Sequence, residues 1–217
     1  MLADRVLFID GEAIVVDKPA GLPVDRPRDG ALSLANHFES LAFGFQRWPQ
    51  AVHRLDRDTS GCLLLSRNPK AHRRFQRAFE ERVVEKVYWA VVEGVPQDEE
   101  GMVDAPLHKV SSTQAGWRMV VDTRGKAART GWRVIGVHAG RALIEMRPET
   151  GRTHQLRVHA MHALGLPIAG DPVYGSGSGP MLLHARSLRV DRGDKPPVEA
   201  VAPIPPNFLA AGFDAPA

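Results

Sequence analysis

The chain has 217 residues, 43% of them hydrophobic and 24% charged, and a formal net charge of +3. That length can bury a substantial core without staples, and the composition is ordinary for a globular protein. Its single cysteine, Cys62, excludes an internal disulfide and fits a reducing compartment, while no apolar run of about 18 residues offers a membrane-spanning helix.

The start, Met1-Leu2-Ala3-Asp4-Arg5, has none of the regions of a secretory signal, so a cytoplasmic protein is expected. Residues 5–10 and 13–17 read as short strands around Gly11-Glu12, a hairpin signal. From Lys18 to Val24 the chain cannot continue a strand, because Pro19 and Pro23 remove ladder donors; a loop of fixed shape is expected. Residues 31–43 carry apolar positions at helical spacing and predict a helix.

The stretch His53-Arg54-Leu55-Asp56-Arg57-Asp58-Thr59-Ser60-Gly61 is a charged turn between Ala51-Val52 and the apolar run Cys62-Leu63-Leu64-Leu65. Apolar segments on both sides hold such a turn over the core, and loops positioned in that way are where catalytic residues concentrate. Asp56 stands between Arg54 and Arg57, a setting for a nucleophile, a general base or an electrostatic stabiliser. An ordinary salt-bridged turn is the bland alternative. Thr59-Ser60-Gly61 suits a tight entry into the next strand. Cys62, inside the apolar run, is expected to be a packing residue.

Asn68-Pro69 supplies an N-cap and a proline at the first helical position, predicting a helix to about Glu81 with Phe75, Ala78 and Phe79 buried. Arg67, Lys70, Arg73, Arg74, Arg77 and Arg82 crowd this interval, either as a phosphate-binding face or as a solvated face balanced by Glu80, Glu81 and Glu85. Residues 83–92 form the strongest strand signal, with Lys86 and Tyr88 on one face. Residues 102–130 are weakly patterned and predict irregular hairpins or loops. Two strands follow at 130–137 and 141–146, then a helix over 153–164 ended by Gly165. On that helix Thr153, Leu156 and Arg157 would share a face. A buried Arg157 needs an acidic partner, for which Asp56 is the natural candidate. Spacings of five and three put His154, His159 and His162 on no compact face, so no metal site is expected. The glycine-rich segment 170–180 is expected to be mobile, 182–190 and 198–202 to be closing strands, and the proline-rich end, about 204–217, to fray. With no repeat and no evident linker, residues 1–217 read as one α+β domain, mainly strands with a few helices.

The nonamer from His53 to Gly61 resembles the catalytic motif of the RluA-type pseudouridine synthases. Three further stretches are similar to that family in the same order: Asp17-Lys18-Pro19-Ala20-Gly21-Leu22, Lys86-Val87-Tyr88, and Thr150 to His159 continued by Gly170-Asp171 and Tyr174-Gly175. Leu183-His184-Ala185 resembles the family's closing strand. Gly131-Trp132 departs from the acid and aromatic that many members carry, which puts local substrate contacts in question and not the chemistry. No S4-like domain is seen ahead of the motifs, so the compact branch is expected.

The resemblance implies a mainly antiparallel mixed sheet with flanking helices, and an enzyme that isomerises uridine in ribosomal RNA, transfer RNA or both, without metal or organic cofactor. It implies Asp56 as the essential carboxylate, Arg157 as its partner and Tyr88 as a platform for the target base. Arg54 would fill the space left by a flipped uridine, and His53, Thr59, Lys86, Thr153 and Leu183 would complete the substrate-binding set. A monomer is expected, since nothing suggests an obligate oligomer. An idle RNA-binding protein and a hydrolytic N-glycosidase are the competing classes; the second lacks a second acid in a comparable setting.

Overall fold

Short β-branched runs punctuated by glycine turns produce an α+β fold whose strands are mainly antiparallel. The computed structural model describes residues 1–27, 30–113 and 116–214. In chain order the strands are β1 (Val6–Ile9), β2 (Ala13–Lys18), β3 (Gln50–Ala51), β4 (Ser60–Ser66), β5 (Glu85–Val92), β6 (Glu100–Asp104), β7 (Leu107–Ser112), β8 (Gly116–Val121), β9 (Arg129–His138), β10 (Arg141–Pro148), β11 (Leu183–Arg192) and β12 (Lys195–Val201). The α-helices are α1 (Pro69–Glu80), α2 (Gln155–Ala163) and α3 (Pro206–Ala210). None of the described helices is long and apolar enough to cross a membrane. Two compact units divide the chain: Met1–Lys86 with His184–Pro203, and Val87–Leu183 with the segment from Ile204 on.

In the first unit β2 pairs antiparallel with β1 on one side and with β4 on the other. The turn before β2 is closed by Asp10, whose Oδ1 accepts the Glu12 and Ala13 amides at 2.8 Å each. β11 lies parallel to β4, with His184 opposite Ser60 and Ala185 opposite Gly61, and β12 returns antiparallel on β11. Helix α1 begins where its cap predicts: Asn68 Oδ1 accepts the Ala71 amide at 2.9 Å, with Pro69 next. Ala71, Phe75 and Ala78 then pack on Cys62, Leu64, Val190 and Val198; Phe75 alone contributes roughly 1.5–3 kcal/mol by leaving water. The Cys62 thiol is buried, and burial pushes it up to about 12, so it is a packing group.

In the second unit β10 pairs with both β5 and β9, and β6 pairs with β9, all antiparallel. β5 is covered on both faces. Tyr88, Ala90 and Val92 join Leu156, Ala160 and Met146, whereas Trp89 and Val91 join Leu143, Phe208 and Phe213. The weakly patterned stretch contains β6 and the separate β7–β8 hairpin.

Four expectations are corrected. The helix expected over 31–43 is a 3-10 helix, Leu34–Leu41, begun by Asn36 Oδ1 accepting from both the amide and the hydroxyl of Ser33. The strand expected from Val83 starts at Glu85, because Arg82 takes a left-handed turn and the Val83 amide still bonds Ala78 O. The end of the chain does not fray over residues 204–214: Phe208 and Phe213 are buried in the second unit's core. The last three residues of that segment lie outside the described residues. The segment 170–180 is tied down, with the Gly175 and Gly177 amides both bonded to Asp171 O at 3.1 Å.

Gly61 sits at φ +105°, and a Cβ there would fall on the Ala185 carbonyl. Replacing Gly61 with alanine should therefore separate β4 from β11 and lower the unfolding free energy by about 2 kcal/mol or more, read by urea denaturation.

Candidate active site

The loop carrying Asp56 owes its shape to a buried ammonium. Pro19 and Pro23 leave the loop after β2 short of amide donors, so its carbonyls need another source. Lys18, fully buried, supplies it: Nζ donates to Pro19 O and Leu22 O at 2.7 Å and to Arg57 O at 2.9 Å. The Gly21 amide adds a bond to Arg57 O at 2.9 Å, and the turn closes with the Thr59 amide on Asp56 O at 3.2 Å. Two loops far apart in sequence are thus welded at Arg57. Burial brings Lys18 down to about 8, while Asp58, Asp56 and Asp17 oppose that shift. Three carboxylates therefore stand within electrostatic reach of one ammonium, and Asp56, partly exposed, is among them.

The remaining motif residues divide between support and surface. His53 Nε2 accepts the Leu64 amide at 3.0 Å, and its ring stacks on Phe79 with centroids 4.6 Å apart. Lys86 Nζ lies 5.9 Å from the centre of the same Phe79 ring, so His53 and Lys86 meet there. Burial and then the Lys86 charge take His53 down to about 3, which keeps it neutral. Thr59 is buried, and Ser60 Oγ meets His184 Nδ1 at 2.8 Å. Arg54 is exposed and pairs with Asp25 at 3.3 Å. The basic cluster is partly structural. Arg67 is buried on the carbonyls of Asp10, Ala42 and Phe43, and Arg74 pairs with Glu12. Lys70, Arg73, Arg77 and Arg82 are exposed.

In the second unit Tyr88 and Leu183 share one core cluster with Leu156 of α2. Arg157 is buried and pairs with an acid, Asp171: Nε donates to Oδ2 at 2.7 Å and Nη2 to Oδ1 at 2.8 Å. Burial would raise the Asp171 carboxyl, but the guanidinium and the Val173 and Tyr174 amides hold it below the usual carboxylate range. The Arg157 guanidinium also lies 5.2 Å from the centre of the Tyr174 ring. Tyr174 Oη meets His154 Nδ1 at 3.0 Å and accepts the Met119 amide at 3.0 Å, which anchors the β7–β8 hairpin. His154 in turn stacks on Trp117 at 4.9 Å.

Thr153 is not on the helical face with Arg157. It is exposed and outside α2, which starts at Gln155 because His154 is left-handed. Gln155 enforces that break: Oε1 accepts from the Thr150 hydroxyl at 2.7 Å and the Arg152 amide at 3.0 Å, while Nε2 donates to Arg129 O and to Thr130 Oγ1 at 2.9 Å each. His159 goes elsewhere, to Thr130 and to Ala105 O.

Lys18 and Asp171 are the residues whose roles sequence reasoning missed, although both stand inside quoted motifs. Two prolines that starve a loop of donors were the available signal for Lys18. For Asp171 it was the need of a buried Arg157 for an acid.

Comparison with known proteins places these features in a family. The RNA pseudouridylate synthase family model matches residues 12–162, taking in Lys18, Asp56, Tyr88 and Arg157. The chain is 58% identical over 217 residues to an uncharacterised RNA pseudouridine synthase of Zymomonas mobilis, covering 98% of this chain and 99% of that protein. It is 40% identical over 181 residues to the ribosomal large subunit pseudouridine synthase D of Nitrosomonas europaea, covering 79% of this chain and 49% of that protein. Among solved structures, human RNA pseudouridylate synthase domain containing 4 matches with a TM-score of 0.84 at 27% identity, over 100% of this chain and 96% of that one.

Two outcomes follow from the buried charges. Lys18 loses its proton near pH 8 when folded but well above that when unfolded. The unfolded chain therefore binds more protons across this window, and stability rises with pH there. Urea titrations should show the wild type gaining on Lys18→Met above pH 8, by up to about 1.4 kcal/mol per pH unit. Asp171→Asn removes the carboxylate charge from this buried pair and should lower the unfolding free energy by about 3–5 kcal/mol in the same assay.

Proposed function

Because the chain belongs to the RNA pseudouridylate synthase family, we propose that it isomerises specific uridines of ribosomal RNA, transfer RNA or both, with Asp56 as the essential carboxylate. The N1–C1′ glycosidic bond breaks, the freed ring turns, a C5–C1′ bond forms, the C5 hydrogen leaves to solvent as a proton and N1 takes up one proton. The enzyme acts in the cytoplasm as a single chain.

What carries this reading is the fixed loop: Asp56 stands partly exposed on a turn locked by the three bonds of Lys18. A carboxylate held in that way spends little reorganisation at the moment of reaction. Whether it adds to the base, attacks the sugar or abstracts a sugar proton, the requirement for fixed placement is the same. Tyr88 offers the flat platform for the target base and Arg157 supports the carboxylate, each role suiting its residue type. A uridine must leave its stack to be reached, at a cost of a few kcal/mol. Exposed Arg54 occupies the vacated space, and the exposed Lys70, Arg73 and Arg77 of α1 meet phosphates without reading sequence. His53, Thr59, Lys86, Thr153 and Leu183 complete the set; buried Thr59 and Leu183 serve by shaping their surroundings.

The test uses RNA tritiated at uridine C5, taken from cells lacking the protein. The wild-type chain should release tritium and Asp56→Ala should release none while still binding the RNA. Release by the variant at the wild-type rate would remove Asp56 from the chemistry.

A further inference from the structure

The motif loop has a neighbour that the reading above does not use. Residues 43–48, Phe43-Gly44-Phe45-Gln46-Arg47-Trp48, carry three aromatic side chains and one arginine. Arg67 holds this segment in place, donating to Ala42 O and Phe43 O and covering the Phe45 ring at 3.7 Å. Beside it opens a cleft of about 750 Å³ in the first unit, lined among others by Asp25, Arg26, Phe38, Arg47, Trp48 and His72. That volume lies within the range of small-ligand sites.

The lining has a definite chemistry. Trp48 is 54% exposed although large and aromatic. Arg26 and Arg47 share the lining with it, and the acid among the six, Asp25, already pairs with Arg54. His72 is held in the lining by Ser66, whose Oγ lies 2.7 Å from Nδ1 and 3.2 Å from Gln50 O. A flat ring, two guanidiniums and an imidazole match one ribonucleotide: base on indole, phosphate on arginine, ribose hydroxyl or base edge on histidine.

The cleft is also tied to the catalytic motif. Its wall includes Ala51, five residues before Asp56, which keeps the two backbones within about 18 Å. The geometry points to this cleft as a second nucleotide site, which holds an unpaired nucleotide of the substrate RNA flanking the target uridine. The assignment rests on the RNA-modifying reading and adds a point where the strand is gripped away from the reacting base.

The test separates grip from chemistry by measuring binding in the Asp56→Asn background with fluorescein-labelled oligouridylate. Trp48→Ala should weaken binding about tenfold, and Trp48→Phe, which keeps a ring, should restore most of it. Arg47→Gln should reduce the slope of log affinity against log salt by about 0.7. Trp48 is largely exposed, so an unchanged unfolding midpoint should accompany these effects. Unchanged affinity in Trp48→Ala, or a salt slope unaltered in Arg47→Gln, overturns the site. So does a cleft that takes polyglutamate in place of the oligonucleotide with the same Trp48 dependence. Tritium release by the protein with the wild-type Asp56 reports on the synthase reading separately: turnover without Trp48-dependent binding defeats only the cleft, and Trp48-dependent binding without turnover defeats only the chemistry.

Discussion

One buried ammonium decides whether the loop bearing Asp56 has a shape. Without Lys18, the carbonyls of Pro19 and Leu22 would lose their donor and that of Arg57 would keep only the Gly21 amide. Each carbonyl orphaned away from water costs about 1–3 kcal/mol. Burying the charge has its own cost, visible in the depressed Lys18 proton affinity, and three nearby carboxylates offset part of it. The arrangement makes sense as positioning more than as stabilisation. A hydrophobic core constrains loops weakly, whereas three directional bonds tie the loop after β2 to the backbone of Arg57, next to Asp56.

The second unit solves a similar problem with the opposite sign. There a buried carboxylate, Asp171, gathers a guanidinium through two parallel bonds, and its Oδ1 accepts two backbone amides as well. The result orders the glycine-rich segment after it and orients Arg157, whose planar fork accepts no alternative geometry as readily. Tyr174, lying against that guanidinium, extends the order to His154 and the β7–β8 hairpin.

What could be read from the sequence was what local chemistry determines. Asn68-Pro69 announces the start of α1 because capping involves only neighbours. The alternation in β5 places Tyr88 because strand period is local, and the motif from His53 to Gly61 singles out Asp56 as a candidate because its signal lies in one short loop. What could not be read depends on distant partners. The three acceptors of Lys18 sit at positions 19, 22 and 57. Phe208 and Phe213 look like a loose end until Trp89 and Leu143 are there to receive them. The start of α2 moves because Gln155 reaches back to Arg129 and Thr130, contacts that no helical pattern encodes.

The parallel pairing of β4 with β11 sets a timetable. Ser60 and His184 are 124 residues apart, so a ribosome adding about 5–20 residues per second needs roughly 6–25 s between them. Through most of that interval the parallel partner of Ser60 and Gly61 has not been made, so this end of β4 stands open while β3 already covers the leucine end. The second unit waits too, because Phe208 and Phe213 of its core follow β11 and β12 in the chain. Both units therefore close only after Leu183 is made, and the nascent chain stays exposed to chaperones and proteases longest where Ser60 and Gly61 wait for β11.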